Sequence, residues 1–342
     1  MDPLLLLAVL VLGFVVAFAI GGNDEAMAPA VGARIFSLNT AVILGGLLSV
    51  IGALTLGGGV SEKVGSDLVS EQTMTPTMVF AVLVSMTIWL LIASITKGLP
   101  ISTTQCIVGS VIGVAIVAPF LGEPGWGIDV VSWFVVLEIF MGWIISPVIG
   151  FLIAAGVFWI VRKMQARVTG LAGRERQERI AAYGLALFLT ITSLSRGGND
   201  VANAVAPLVT LPDFAVPLNI GPFILPGIVI PLFVGGLGMA IGLIVVGRKV
   251  IKVLATEVVT LTPTSALAAS ISVALVMFIG TYMGFPLSGT HVLVAALIAV
   301  GWVAQTPVQT NQVKDILVSW VITVPISAIF GVILYACINP FF

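Results

Sequence analysis

Charge is what this sequence lacks. Only 8% of its 342 residues are Asp, Glu, Lys or Arg, against roughly 25% in an ordinary soluble domain, so no extended water-facing surface can be built from it. With 59% of its residues hydrophobic, the chain reads as a polytopic membrane protein with little left for a soluble domain. Its net charge of -1 removes the electrostatic basis for nucleic-acid binding. Histidine is scarce as well: His291 stands alone, which argues against a histidine-built metal centre. The two cysteines, Cys106 and Cys337, lie in apolar runs without metal-ligand spacing; neither a disulfide framework nor a zinc site is expected, and both read as packing residues. Strand context is missing around Gly57-Gly58-Gly59 and Gly235-Gly236, so these are helix-packing glycines and not nucleotide loops. The seven tryptophans read as interface anchors and packing residues.

What is present is apolar sequence, in runs at 4–20, 38–58, 77–96, 101–120, 128–161, 180–194, 222–247, 264–281, 287–304 and 315–338. Most approach the roughly 20 residues that span a bilayer as a helix. The first follows the acidic Asp2 and has no cleavage-like end, which predicts a retained helix and not a signal peptide. The run at 128–161 is long for one span, and Ser146-Pro147 offers a break point. Ten to twelve crossings are expected. Glu138 falls within that run and is expected at an interface or beside a partner.

The chain repeats itself. Gly21-Gly22-Asn23-Asp24 returns as Gly197-Gly198-Asn199-Asp200, Met74-Thr75-Pro76-Thr77 as Leu261-Thr262-Pro263-Thr264, and Gly98-Leu99-Pro100-Ile101-Ser102 as Gly284-Phe285-Pro286-Leu287-Ser288; Trp143 and Trp320 pair more weakly. Between the halves, residues 162–179 hold six Lys and Arg and two acids, which places this stretch in the cytoplasm. The segment before the Thr-Pro landmark is acidic in the first half (Glu62, Lys63, Asp67, Glu71) and basic in the second (Arg248, Lys249, Lys252, Glu257). Equivalent loops therefore belong on opposite sides of the membrane. The expected architecture is an all-α integral membrane protein of two inverted repeats, 1–161 and 180–342, joined by the linker 162–179, with broken helices and re-entrant Pro-Ser/Thr hairpins. Both termini are expected outside the plasma (inner) membrane. Such repeats typify secondary transporters, whose sites lie near the midplane where the halves meet.

Two motif pairs carry chemistry. Aspartate at membrane depth costs roughly 2.5–3.5 kcal/mol on insertion scales, so Asp24 and Asp200 in matched contexts call for a reason. The glycines allow a helix to open, and Asp24, Asp200, Asn23, Asn199 and Asn203 offer oxygens suited to Na+; a protonatable Asp can carry H+ instead. Helix capping by the aspartates is the competing reading. In the second pair, Ser102, Thr103 and Thr104 match Ser288, Gly289 and Thr290 behind Pro100 and Pro286. Free N–H groups, hydroxyls and the positive helix end make an anion site that needs no fixed cation; ordinary N-caps within a packed bundle are the alternative. His291 and its repeat partner Gln105 are expected to orient neighbours, a proton relay being the other use of His291. Arg196 has no counterpart and can hold an anion, neutralise Asp200 or snorkel to the interface. Glu25 faces Val201 across the repeat and Met27 faces Asn203, so the two copies are not expected to do the same work.

These motifs resemble those of the PiT-type inorganic phosphate transporters, whose signatures read approximately Gly-Ala-Asn-Asp-Val-Ala-Asn-Ala and Pro-Val-Ser-Thr-Thr-His. Residues 197–204 and 284–291 match them, as do 21–28 and 98–105 with Met27, Gln105 and Gly289 as departures. The resemblance implies an inverted-repeat fold that imports phosphate in symport with Na+ or H+. It implies phosphate near Ser102, Thr103, Thr104, Ser288, Gly289 and Thr290, with Asn23 and Asn199 beside it, and cations near Asn23, Asp24, Asn199 and Asp200. A proton-coupled sulfate or other tetrahedral-oxyanion permease is the alternative. No cofactor is expected beyond the co-transported ion, and the apolar surface admits lipid or a homo-oligomer. Ser288 and His291 superficially look like a hydrolase pair, yet Ser102 has no histidine partner and no oxyanion hole is evident, so an enzyme is not expected. A passive channel would have no use for paired acidic motifs.

Overall fold

Lipid offers no hydrogen bonds, so a run of apolar residues crossing it must satisfy its backbone internally, and each of the ten runs contributes to a helix. The computed structural model describes residues 3–69, 73–96, 98–209, 211–220 and 223–341; Asp2 and Glu71 lie outside them. In chain order the helices are α1 (Pro3–Asn23), α2 (Ala28–Gly32), α3 (Leu38–Glu62), α4 (Pro76–Thr96), α5 (Thr103–Val117), α6 (Trp133–Gln165), α7 (Leu171–Val209), α8 (Pro212–Ala215), α9 (Val229–Val245), α10 (Arg248–Thr256), α11 (Pro263–Tyr282), α12 (Gly289–Ala304) and α13 (Thr310–Ile338). Among the described residues, eight helices are long and apolar enough to cross a membrane. A ninth span results if α9 and α10, bent by 62°, form one, and the shorter apolar α12 is the tenth run. A small antiparallel pair of strands, β1 (Leu218–Ile220) with β2 (Phe223–Leu225), departs from the expected all-α content.

Helix packing repeats with the halves exchanged. The α1–α9 pair is matched by α7–α3, α1–α4 by α7–α11, α5–α13 by α12–α6, and α4–α13 by α11–α6, while α3 packs on α9 and α1 on α7 across the centre. The helix contacts of one half thus recur in the other. The first glycine of each motif copy permits a close helix approach. A Cβ on Gly21 would overlap the Met239 carbonyl of α9, and one on Gly197 the Ser49 backbone of α3. These glycines serve helix contact, where the sequence pointed to helix opening.

Three expectations need correction. The second Gly-Gly-Asn-Asp does not interrupt its helix, since α7 runs unbroken from Leu171 to Val209. The first copy does break, because Pro29 lacks an N–H and crowds the carbonyl four residues back, at Glu25; α1 stops at Asn23 and α2 starts at Ala28. In α7 the corresponding proline is Pro207, two residues from the helix end. The run at 128–161 is not broken at Ser146-Pro147 either, and α6 passes through it for 33 residues. Residues 162–179, finally, are largely the ends of α6 and α7, joined by 166–170. Glu138 is partnered as expected, 2.8 Å from Lys63 Nζ. Cys106 is buried, whereas Cys337 lies on the exposed face of α13.

Candidate functional site

The two Pro-X-Ser stretches are non-helical tips between helices, α4 to α5 and α11 to α12. Each serine caps the helix it precedes: Ser102 Oγ accepts from Gln105 N, and Ser288 Oγ from His291 N, both at 3.3 Å. Capping is thus real, and it leaves the first-turn N–H groups and the helix dipole aimed into the protein. Each tip is held by the asparagine of one motif copy. Asn23 Nδ2 donates to Ser94 Oγ (2.8 Å) and Leu99 O (2.9 Å), and its Oδ1 accepts from Ile101 N (2.9 Å). Asn199 Nδ2 does the same for Thr281 Oγ1 (3.4 Å) and Phe285 O (2.9 Å). The two asparagines, read as ligands, are first of all braces for the tips. Ser94 and Thr281 were missed in the sequence; their signal was a hydroxyl one to two turns before each proline.

Between the tips lies a buried ionic cluster. Arg196, 3% exposed, places Nη1 2.5 Å from Glu25 Oε1, and Nη2 3.3 Å from Asp24 Oδ1 and 3.2 Å from Asp200 Oδ2. Arg196 and Asp200 meet because four residues make one helical turn. Asp24 and Glu25 reach the same guanidinium because the break after Asn23 frees them from helical geometry; Asp24 Oδ1 also accepts from Ala26 N at 3.1 Å. Thr103 Oγ1 donates to Asp200 Oδ1 (2.8 Å), and Thr104 Oγ1 to Leu287 O (3.4 Å), joining the start of α5 to the opposite tip. Gly289 opens α12 directly against the guanidinium: a Cβ there would lie 2.6 Å from Arg196 Nε. The Thr290 hydroxyl is turned to the Glu25 carboxylate.

The structure therefore gathers Asp24, Glu25, Arg196, Asp200, Ser102, Thr103, Thr104, Ser288, Gly289 and Thr290 around one centre. Gln105 and His291 stand apart from it. Gln105 lines a cavity of about 690 Å³ with Trp133, Trp143 and Trp320. The His291 ring lies 3.9 Å from that of Trp320, near the Trp143 carbonyl. That carbonyl needs a donor because Pro147, four residues on, has no N–H. Asn203 is fully buried with both side-chain polar atoms unpaired, and Asn199 Oδ1 is likewise unpaired. Among the described residues no three His, Cys, Asp or Glu side chains form a metal-holding group. A cation at Asp24 or Asp200 would need neutral oxygens, and the Asn199 and Asn203 carbonyls, one turn apart on α7, are of the right kind.

The chain matches the phosphate transporter family over residues 20–331. It is 32% identical to a protein of Thermococcus kodakarensis designated a phosphate permease, covering 98% of each chain. It is 27% identical to the inorganic phosphate transporter 2-1, chloroplastic, of Arabidopsis thaliana, covering 96% of this chain and 71% of that one. Among solved structures it is similar to one described as the sodium-dependent phosphate transporter, with a TM-score of 0.83 and 26% identity, covering 99% of this chain and 100% of the other.

Proposed function

This chain belongs to the phosphate transporter family, a multi-pass membrane transporter and not an enzyme, and we propose that it imports inorganic phosphate with Na+ by alternating access around the Arg196 cluster. One observation carries the reading. Asp24 and Asp200, one from each motif copy, are held by a single buried guanidinium between the N-termini of α5 and α12. Those N-termini and their hydroxyls suit a tetrahedral oxyanion. The carboxylates beside them resist it: three acids around one arginine leave two formal negative charges in excess.

The excess is the physical basis for coupling. At an effective dielectric constant of about 20, like unit charges about 6 Å apart repel by roughly 3 kcal/mol. An oxyanion beside two uncompensated carboxylates is then opposed by about 6 kcal/mol, or about four orders of magnitude in affinity. At least two cations or protons are needed to remove that barrier, so anion and cations bind together or hardly at all. Na+ is favoured by the solved transporter's sodium dependence and by the neutral oxygens of Asn199 and Asn203. The two repeats are taken as inverted, with 162–179 cytoplasmic by its six basic residues and both termini outside.

Uptake of radiolabelled phosphate into proteoliposomes, with Na+ and pH gradients imposed separately, tests the proposal. Uphill accumulation driven by inward Na+ is the expected result. Accumulation driven only by a proton gradient, with sulfate taken up and phosphate failing to compete, would replace it with the proton-coupled sulfate permease.

A further inference from the structure

The two halves of the site differ at several positions, and three of the differences meet at one point. Arg196 stands where the first repeat has Ile20, Glu25 where the second has Val201, and Gly289 where the first has Thr103. In the structure Arg196 and Glu25 are each other's shortest ionic contact, at 2.5 Å. Gly289 provides the room for the guanidinium; any side chain there would begin 2.6 Å from Nε, 2.9 Å from Cδ and 3.0 Å from Cζ. Thr103, at the equivalent place, instead points its hydroxyl at Asp200. A charge pair and the space for it have been introduced together into one half-site.

The pair adds no net charge, so neutralising Asp24 and Asp200 is not its purpose. What it adds is a guanidinium at the mouth of α12 together with a carboxylate that covers it. Glu25 takes an Arg196 N–H and faces the Thr290 hydroxyl, the two donors that an oxyanion seated on α12 would use. Its second oxygen, Oε2, is fully buried and has no hydrogen-bond partner. A carboxylate with one oxygen spent and one orphaned in a buried site is a poor resting state unless it is exchanged for something.

We propose that Glu25 is a tethered stand-in for the transported oxyanion: it occupies Arg196 when the site is empty, yields Arg196 to the incoming anion, and then takes up one cation or proton itself. The exchange makes no covalent bond. Arg196 passes from one carboxylate to one oxyanion, and the charge left on Glu25 is matched by the ion it acquires. This chain then carries one coupled positive charge more than the aspartates alone require. The inference rests on the oxyanion-transport reading above, and it is specific to a chain that has Arg196, Glu25 and Gly289 together.

The test compares wild type with Glu25→Gln and with the double variant Glu25→Val/Arg196→Ile, which carries the residues of the opposite repeat. Equilibrium binding of radiolabelled phosphate to the full-length protein in nanodiscs is measured against Na+ concentration and pH, and charge moved per phosphate is read in proteoliposomes. If Arg196 is covered by Glu25 in nine of ten empty molecules, removing the competitor tightens apparent phosphate affinity about tenfold. Glu25→Gln is expected to show that gain and to lose one coupled charge per phosphate. The double variant is expected to lose the same charge while binding phosphate more weakly than wild type. Unchanged charge per phosphate in both variants overturns the proposal, as does Glu25→Gln binding more weakly with an unaltered thermal midpoint. A wild type that binds sulfate and not phosphate sinks the phosphate reading alone, and the same series is then read with sulfate.

Discussion

Gly289 is the position where packing and charge can be separated. Gly289→Ala adds one carbon, placed 2.6 Å from Arg196 Nε, so the guanidinium must retreat by roughly 1 Å to regain ordinary contact distance. It has no slack to do so. Its bonds to Asp200 are already 3.2 Å long and that to Asp24 is 3.3 Å, near the limit of a hydrogen bond. Overpacking costs about 1–3 kcal/mol, and a lost charge-assisted bond about 1.5–3 kcal/mol; since one displacement causes both, about 2 kcal/mol is expected. The decisive comparison is with the Glu25→Val/Arg196→Ile background, from which the ion pair has been removed as a neutral unit. There the added methyl meets no guanidinium, and its cost should fall to within about 0.5 kcal/mol of zero. Thermal midpoints of the four proteins in nanodiscs, at one fixed scan rate, supply the cycle: a drop of a few degrees in the native background and almost none in the other. An equal drop in both would mean that the alanine disturbs the α12 terminus itself, and the argued link between Gly289 and Arg196 would fail.

Further outcomes follow from the same geometry. Asp24→Asn and Asp200→Asn should each flatten the cation dependence of phosphate uptake more than they lower the thermal midpoint; an intact Na+ or pH dependence in both would leave capping as the aspartates' only role. Asn23→Ala removes three tip-bracing bonds and Asn199→Ala two. At about 1 kcal/mol per bond, the first should destabilise by about 1 kcal/mol more, which unfolding of the two variants side by side would reveal. His291→Ala strands the Trp143 carbonyl at a cost of about 1–3 kcal/mol while uptake and its pH profile survive. Pro147→Ala restores a helical N–H to that carbonyl, so the double variant should be the more stable of the two; a double variant no better than His291→Ala alone would refute the assignment.

How far the sequence reached depends on the range of the interaction. The ten apolar runs were legible because lipid imposes one requirement on every backbone group. The pairing of Asp24 with Asp200, and of Ser102 with Ser288, was legible because the chain states each twice. What escaped was the difference between the copies. Pro29 and Pro207 lie at different offsets from their motifs, and a proline acts on the carbonyl four residues before it. That rule points to Glu25 in one copy and to Asn203 in the other, and only the first copy breaks. Pro147 shows where the rule stops: α6 runs whole through Ser146-Pro147, with the His291 ring, from a helix distant in sequence, near the Trp143 carbonyl. Whether a proline breaks its helix is therefore a property of the fold and not of the local sequence alone. The ionic cluster depends on the same distinction. Glu25 can turn to Arg196, 171 residues away in sequence, only because Pro29 has opened the helix there, whereas Asp200 needs no such release because Arg196 sits one turn before it on the same unbroken helix. The asymmetry of the site therefore begins with the position of a proline, and the charges follow from it.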